Sequence, residues 1–369
     1  MNALEKHLAN LIRAQGPLSL SHFMAEALGH PQYGYYTSQT PFGRKGDFIT
    51  APEISQMFGE MIGLWQANNW LNLGSPAKIH LAELGPGRGT LMQDALRAMK
   101  IVPGLLDAVE LHLVEISPKL RLEQQEKLKD LKQPHKIQPQ WHDQVSDLLQ
   151  ATQDAPLLLI ANEFFDALPI RQFEKGPDGW HERLVGLEGD DNLSLCLAPI
   201  PCDISLIPEA LHSADPGSIA EICPVGENIV AELSRHIIRH GGVALLIDYG
   251  HDRYGSGDTL QAMKDHKFCP ILDHVGKADL TAHVNFQALK ETAHKNGAKT
   301  YGPAHQGDFL NAVGIGARTE ALLKVVQDEQ KEDIISAYKR LTEAEQMGRL
   351  FKAMALSHPN LTGIIGFGA

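Results

Sequence analysis

The sequence is poor in the features that usually betray a function class. Among 369 residues there are four cysteines. These are Cys196, Cys202, Cys223 and Cys269, and no two form a C-x-x-C pair. A chain of this length buries an ample core without cross-links, so a disulfide scaffold is implausible and reduced cytosolic thiols are expected. Long apolar runs are missing as well: Pro156–Ile160 and Val243–Ile247 have the length of strands, far below the roughly 18–20 residues of a membrane span. Basic charge is scarce. Lys and Arg total 33 against 45 Asp and Glu, a net charge of −12 at pH 7. That balance disfavours broad contact with nucleic acid or an anionic membrane and suits a cationic substrate. The 18 histidines contain no H-E-x-x-H or comparable spacing, so no metal site is expected and they read as core or solvated residues. The opening residues have neither a long apolar core nor an Arg/Ser-rich character. Instead Leu4, Leu8, Leu11 and Ile12 recur at helical spacing, and a cytoplasmic protein is expected.

What is present is an alternation of strand and helix. Residues 1–77 read as helix and loop, with a helix over Ser19–Leu28 capped by Ser19, a Gly- and aromatic-rich ordered loop over 31–48, and a helix over Ile54–Leu71. From residue 78 short apolar strands are predicted at Ile79–Leu84, Leu111–Ile116, His135–Trp141, Leu157–Asn162 and Val243–Asp248. Helices at Leu91–Met99, Pro118–Leu131 and Gly226–Arg239 fall between them. Such βα units predict an α/β fold with a doubly wound, mostly parallel sheet. Ile170–Leu197 has turn residues between alternating segments and reads as a β-hairpin or small meander. Tyr249–Thr281 is polar and reads as a loop or lid. Helices are predicted again at Phe286–Lys295 and Glu320–Met354, the latter as core in preference to a dimer surface. The expected organisation is an N-terminal elaboration over 1–77 and a catalytic core over 78–369, with insertions at about 170–200 and 249–281.

The chemistry concentrates where the first strand meets the first helix, in Glu83-Leu84-Gly85-Pro86-Gly87-Arg88-Gly89-Thr90. The carboxyl edge of a parallel sheet is where ligands bind, and glycines there let the backbone approach one closely. The spacing is neither G-x-G-x-x-G nor a phosphate-cradling G-x-x-x-x-G-K-[ST] run. Pro86 also removes an N–H that a pyrophosphate would need. Glu83 would repel a diphosphate, yet it suits an ammonium or sulfonium. S-adenosylmethionine carries both cations and no phosphate. Glu115, ending the second strand, is placed to accept both ribose hydroxyls, with helix capping as its plain alternative. Ser117 and Pro118 then start the next helix. Trp141, before His142 and Asp143, lies where an adenine is seated, or else is core.

A second cluster, Asn162-Glu163-Phe164-Phe165-Asp166-Ala167-Leu168-Pro169, follows the fourth strand. It lacks the N-P-P-Y of enzymes that methylate adenine or glutamine amides. Its carboxylates, Glu163 and Asp166, suit a guanidinium, whose planar donors pair with acids, with capping of a following helix as the alternative. Methyl transfer by displacement needs mainly alignment. The expected activity is transfer of a methyl group to a guanidinium, with a small-molecule or nucleobase methyltransferase as the rival.

The chain resembles the MidA-like methyltransferases over nearly its whole length. The resemblance is carried by Tyr33–Tyr36, Gly46-Asp47-Phe48-Ile49-Thr50-Ala51-Pro52-Glu53, Glu83–Thr90 and Asn162–Pro169. It continues in Asp248–His251, Ala278–Phe286 and Gln306–Leu310. It implies a seven-stranded class I methyltransferase sheet with a helical addition, and S-adenosylmethionine held by Glu83, Gly85, Gly87, Gly89 and Glu115. It further implies a loop around Asp47 and Thr50 closing over the donor, and Asn162 and Glu163 facing the methyl group. A mitochondrial relative in this family methylates arginine and assists assembly of respiratory complex I. Methyl transfer to a protein partner presenting arginine is therefore expected, without nucleic acid or membrane insertion. Its rival is an assembly chaperone with a vestigial or regulatory pocket; a homodimer is left open. One departure is visible. Asn285 stands where the family has Asp, which puts arginine specificity in question if that residue touches the guanidinium, whereas a helix cap would tolerate Asn.

Overall fold

The computed structural model describes residues 1–38, 50–129, 137–189 and 191–368, which fall into two compact units. The larger holds the described residues of 49–164, 229–250 and 290–369. Its sheet is built from β1 (Ile79–Leu84), β2 (Val109–Val114), β3 (Gln140–His142), β4 (Leu157–Asn162), β5 (Gly242–His251), β6 (Lys299–His305) and β7 (Phe351–Ser357). These strands lie in the order β6-β7-β5-β4-β1-β2-β3. Pairing is parallel from β3 through β5, whereas β7 runs antiparallel to both β5 and β6. Chain order reverses between β1 and β4, and such a switch point opens a crevice at the carboxyl ends of the strands. Every residue of β1 and β4 is buried, as expected for parallel strands covered on both faces. This is the doubly wound α/β architecture expected from the sequence.

Helix α1 (Gln56–Asn72) packs on α2 (Thr90–Met99) within this unit. The approach is so close that a Cβ on Gly63 would lie 2.3 Å from the Ala95 carbonyl oxygen. The boundary expected at residue 77 is therefore not where the units part: α1 shares its core with the sheet, with Met57, Met61 and Trp65 buried beside Leu91 and Ile160.

The C-terminal region corrects a second expectation. Glu320–Met354 is not one helix but helices Ile315–Leu323, Asp328–Thr342 and Met347–Leu350 followed by β7. Phe351-Lys352-Ala353-Met354-Ala355-Leu356-Ser357 contains good helix formers. Yet it is paired on both edges and buried throughout, so tertiary pairing overrides local propensity. In the helix Asp328–Thr342, Leu341 is buried, and Ile334 and Tyr338 pack on the main core.

The second unit holds the described residues of 1–48, 165–228 and 251–289. Helices Ala3–Gln15 and Leu20–Gly29 begin it, the latter capped by Ser19, whose hydroxyl accepts from His22 N. The meander expected near residue 170 is present as Arg171–Lys175, Trp180–Glu188 and Asn192–Leu197, extended by Leu18–Ser19 and Ile219–Ile222 into one antiparallel sheet. The segment expected to be a loop over Tyr249–Thr281 instead contains strands Gln261–Lys264, Lys267–Cys269 and Asp279–Thr281. Its hairpin turns on Asp265 and His266 at φ 52° and 60°. Tight hairpin turns need left-handed residues there, and with no glycine in that pair the turn was not announced. Among the described residues no helix is long and apolar enough to cross a membrane, and all four cysteines are free.

Candidate active site

Strand register gathers the predicted donor residues. Glu83 stands opposite Leu113 on one side and Ile160 on the other, and Leu113 stands opposite Trp141. Because side chains alternate along a strand, Glu83 and Trp141 share a face with Glu115 and Asn162, which lie two residues beyond Leu113 and Ile160. The turn after β1 explains its three glycines: Gly85, Gly87 and Gly89 adopt φ of 61°, 51° and 77°, the left-handed region that L side chains avoid. A Cβ at Gly85 would also come within 3.0 Å of the Phe164 ring.

Glu115 Oε1 accepts from the Ser117 N–H at 2.8 Å, and Ser117 caps α3 (Pro118–Lys127), which Pro118 begins. So Glu115 does assist the helix start, and its other oxygen is also held: Gln124 Nε2 donates to Oε2 at 3.2 Å. Gln124 was not foreseen. From α3 its amide also donates to the Gly87 carbonyl at 2.7 Å and accepts from Trp141 Nε1 at 2.8 Å. One fully buried side chain thus joins the glycine turn, Glu115 and Trp141. Gln125 is an equally plausible letter, and only position on the helix separates the two.

Glu83 is 3% exposed, and its Oε2 has no hydrogen-bond partner among the described residues. Burial, with Glu115 nearby, pushes its carboxyl up to about 8, and burial likewise moves Glu115 to about 7. On β4 the Asn162 Oδ1 is also buried without a donor. Two unmet acceptors beside a glycine turn are costly unless a ligand supplies donors or positive charge. The set is hostile to a phosphate and receptive to an ammonium or sulfonium.

The end of β4 is strained and tied down. Glu163 has φ 50°, a left-handed conformation that non-glycine residues rarely hold and that clusters at functional sites. Its Oε1 accepts from the Ala51 N–H at 2.9 Å and from Asn162 Nδ2 at 3.2 Å. The following helix that the alternative, capping reading needs is not formed; the Glu163 carboxylate sits instead at the start of the short helix Ala51–Ile54. Thr50 is the backbone N-cap of that helix and makes no side-chain capping bond. Glu53, in the same turn, accepts from the Thr90 hydroxyl at 2.6 Å and pairs with Arg88 at 3.5 Å. The segment after Thr50 is thereby fastened to the glycine turn. Asp47 lies outside the described residues.

Comparison with known proteins decides the family. A family model of S-adenosyl-L-methionine-dependent methyltransferases matches residues 61–304. The mitochondrial protein arginine methyltransferase NDUFAF7 of Xenopus tropicalis is 37% identical, over 95% of this chain and 85% of its own. The chain belongs to the MidA-like S-adenosylmethionine-dependent methyltransferases. The human NDUFAF7 protein is 35% identical over 97% of this methyltransferase and 84% of its own length. A bacterial protein from Burkholderia thailandensis, crystallised with S-adenosyl-homocysteine, superposes with a TM-score of 0.86 at 25% identity, over 99% of this chain and 94% of that one.

Unmet buried oxygens beside a left-handed glycine turn that leaves the backbone bare fit the chemistry of S-adenosylmethionine, whose methionine end is cationic. Asp166 and Asn285 lie in the second unit. Asp166 is buried, and its backbone oxygen accepts from the Ala282 N–H at 2.9 Å. There Tyr36 donates to Asp279 Oδ1 at 2.9 Å. Burial, then Asp279 and Asp166, hold the Tyr36 hydroxyl well above its ordinary value. Asn285 Oδ1 accepts from the Ala288 N–H at 3.1 Å. It caps the helix Phe286–Lys295, the role in which Asn and Asp are interchangeable.

Proposed function

We propose that this methyltransferase methylates an arginine guanidinium of a protein partner. The observation that carries the proposal is likeness at 35–37% identity, over nearly the full chain, to proteins named as arginine methyltransferases. The acidic residue Glu163, just after β4, agrees with a cationic acceptor. S-adenosylmethionine, when bound, supplies an electrophilic methyl group on a sulfonium. Glu83 and Asn162 then offer their unmet oxygens to its cationic end, and Glu115 offers acceptor capacity to the ribose. Gln124 fixes Glu115 and Trp141 relative to the glycine turn. Glu163 contributes charge beside the reacting nitrogen, its carboxylate held by the Ala51 N–H. Displacement needs alignment above all, and a strained, doubly bonded Glu163 serves that purpose. The cytoplasmic location, a homodimer and a link to respiratory complex I assembly belong to this proposal.

The test separates an enzyme from a chaperone. Glu163→Gln keeps an oxygen to accept from Ala51 but removes the charge. Donor affinity by calorimetry should change less than about threefold, while turnover falls roughly 100-fold or more, a loss of about 2.7 kcal/mol of transition-state stabilisation. The variant should fail to restore arginine methylation, read by mass spectrometry, in a deletion strain. Full rescue by a variant that binds donor without transferring methyl would overturn the enzymatic reading and favour an assembly role.

A further inference from the structure

On the opposite face of the sheet from Glu83, three strands place histidines side by side. His80 stands opposite Glu110, His112 opposite Ala82 and Gln140, and His142 opposite Val114. Alternation turns His80, Glu110, His112 and His142 to one face. His80 Nδ1 lies 3.0 Å from His112 Nε2, and His112 Nδ1 lies 3.0 Å from His142 Nε2. His80 Nε2 lies 2.8 Å from Asp154 Oδ1. The Asp154 carboxylate also accepts from Lys78 Nζ at 2.8 Å, so His80 donates to it from Nε2. With neutral rings, His80 Nδ1 then accepts from His112 Nε2–H, and His112 Nδ1 accepts from His142 Nε2–H.

We propose that His80 Nδ1, His112 Nε2 and a Glu110 carboxylate oxygen form a binding site for a divalent cation of the zinc class. The three ligand atoms lie within 4.8 Å of one another, with 3.0 Å between the nitrogens and 3.6 Å from His80 Nδ1 to Glu110 Oε2. A tetrahedral zinc with bonds of about 2.0–2.1 Å holds its ligands roughly 3.3 Å apart, so little movement is required. Two imidazoles with one carboxylate favour zinc over magnesium or calcium. The supporting groups are already in place: Asp154 on the far nitrogen of His80, His142 on that of His112, and Lys78 at 2.9 Å from Glu110. When the cation replaces the proton between His80 and His112, His112 carries its proton on Nδ1 and donates to His142 Nε2. His142 then carries its proton on Nδ1. Each ring keeps the number of protons it had before the cation entered. The half-exposed Glu110 gives a route in.

A second cluster of two histidines and a glutamate, His7, Glu26 and His30, fails the same test. His30 Nδ1 accepts from the Gln32 and Tyr33 N–H groups at 3.1 and 3.2 Å. The ring proton is therefore on Nε2, leaving no lone pair for a cation.

The experiment loads the full-length protein with zinc sulfate, dialyses it and measures retained metal, with calorimetry for affinity. One equivalent is expected to remain. Asp154→Asn, at an exposed position, should weaken binding roughly 10- to 100-fold. Glu110→Gln, also exposed, should weaken it at least as much, and zinc should raise the melting temperature of the unmodified protein more than that of either variant. In parallel, the ring-nitrogen NMR signals of His80 and His112 should shift on adding zinc. Failure to retain zinc, zinc affinity in either variant equal to that of the unmodified protein, or unmoved signals would each overturn the site and leave a hydrogen-bonded ladder alone.

Discussion

On one face of the central sheet Glu83, Glu115, Asn162 and Trp141 gather at the carboxyl edge, while on the other His80, His112 and His142 cross three strands. The first face leaves Glu83 Oε2 and Asn162 Oδ1 buried without donors. Each such group costs about 1–3 kcal/mol in the folded protein, a deficit that a bound cation removes. The second face closes its hydrogen bonds end to end, from Asp154 through His142. Polarity in a buried sheet therefore has two meanings. Where acceptors outnumber donors at the carboxyl edge, a cation can be received; where they balance, the groups hold one another, and a ligand must displace a bond already made.

The largest expected effect breaks the first face outright. Gly87→Val puts a β-branched residue at φ 51°, where even an unbranched side chain costs roughly 1–2 kcal/mol, and it fills space the donor needs. Calorimetry should detect no donor binding while circular dichroism shows a folded protein; retained affinity would remove the glycine turn from the site. Next, Gln124→Ala leaves Glu115 Oε2, the Gly87 carbonyl and the Trp141 indole each short of a partner. At about 1–3 kcal/mol for one unmet buried group, donor affinity should fall roughly 10- to 100-fold. A purely structural Gln124 would instead lower the melting temperature with donor affinity unchanged.

The smallest effect is in pH. Glu83 is pushed up to about 8 from an ordinary value of 4.5, so the folded protein binds a proton that the unfolded chain has lost. Its contribution therefore makes the donor-free protein less stable as pH rises from about 4.5 through about 8. A cationic donor favours the ionised carboxylate. Affinity should accordingly climb with pH across this window, by at most about tenfold per unit, with proton release detectable in buffers of different ionisation heat. Glu83→Gln should flatten both trends. A pH-independent affinity in the unmodified protein would mean that Glu83 does not face the donor's charge, and the contrast between the two faces would lose its main support.

Local patterns foretold the parallel half of the fold. Ile79–Leu84 and Leu157–Asn162 match their predicted bounds residue for residue, as does the helix Phe286–Lys295. Short apolar strands flanked by turns leave a clear trace when both faces are buried. The antiparallel strands β6 and β7 left none, because Ala, Met and Leu in β7 suit a helix as well as a strand. The glycine turn was legible because left-handed backbone restricts residue choice within a few positions. Gln124 was not, since its partners stand 37 residues before it at Gly87 and 17 after it at Trp141.

The sequence by itself determined the turn at Glu83–Thr90, the acid at Glu115 and the order of strand and helix. All of these are set by contacts between near neighbours along the chain. It named histidines without relating them. Only the register of β1 against β2 and of β2 against β3 decided that His80, His112 and His142 would touch, and only tertiary packing of the helix Ala51–Ile54 near the end of β4 decided that Glu163 would meet Ala51 across 112 positions. Register is a property of paired strands, fixed by burial over the whole sheet, and no spacing within one segment encodes it.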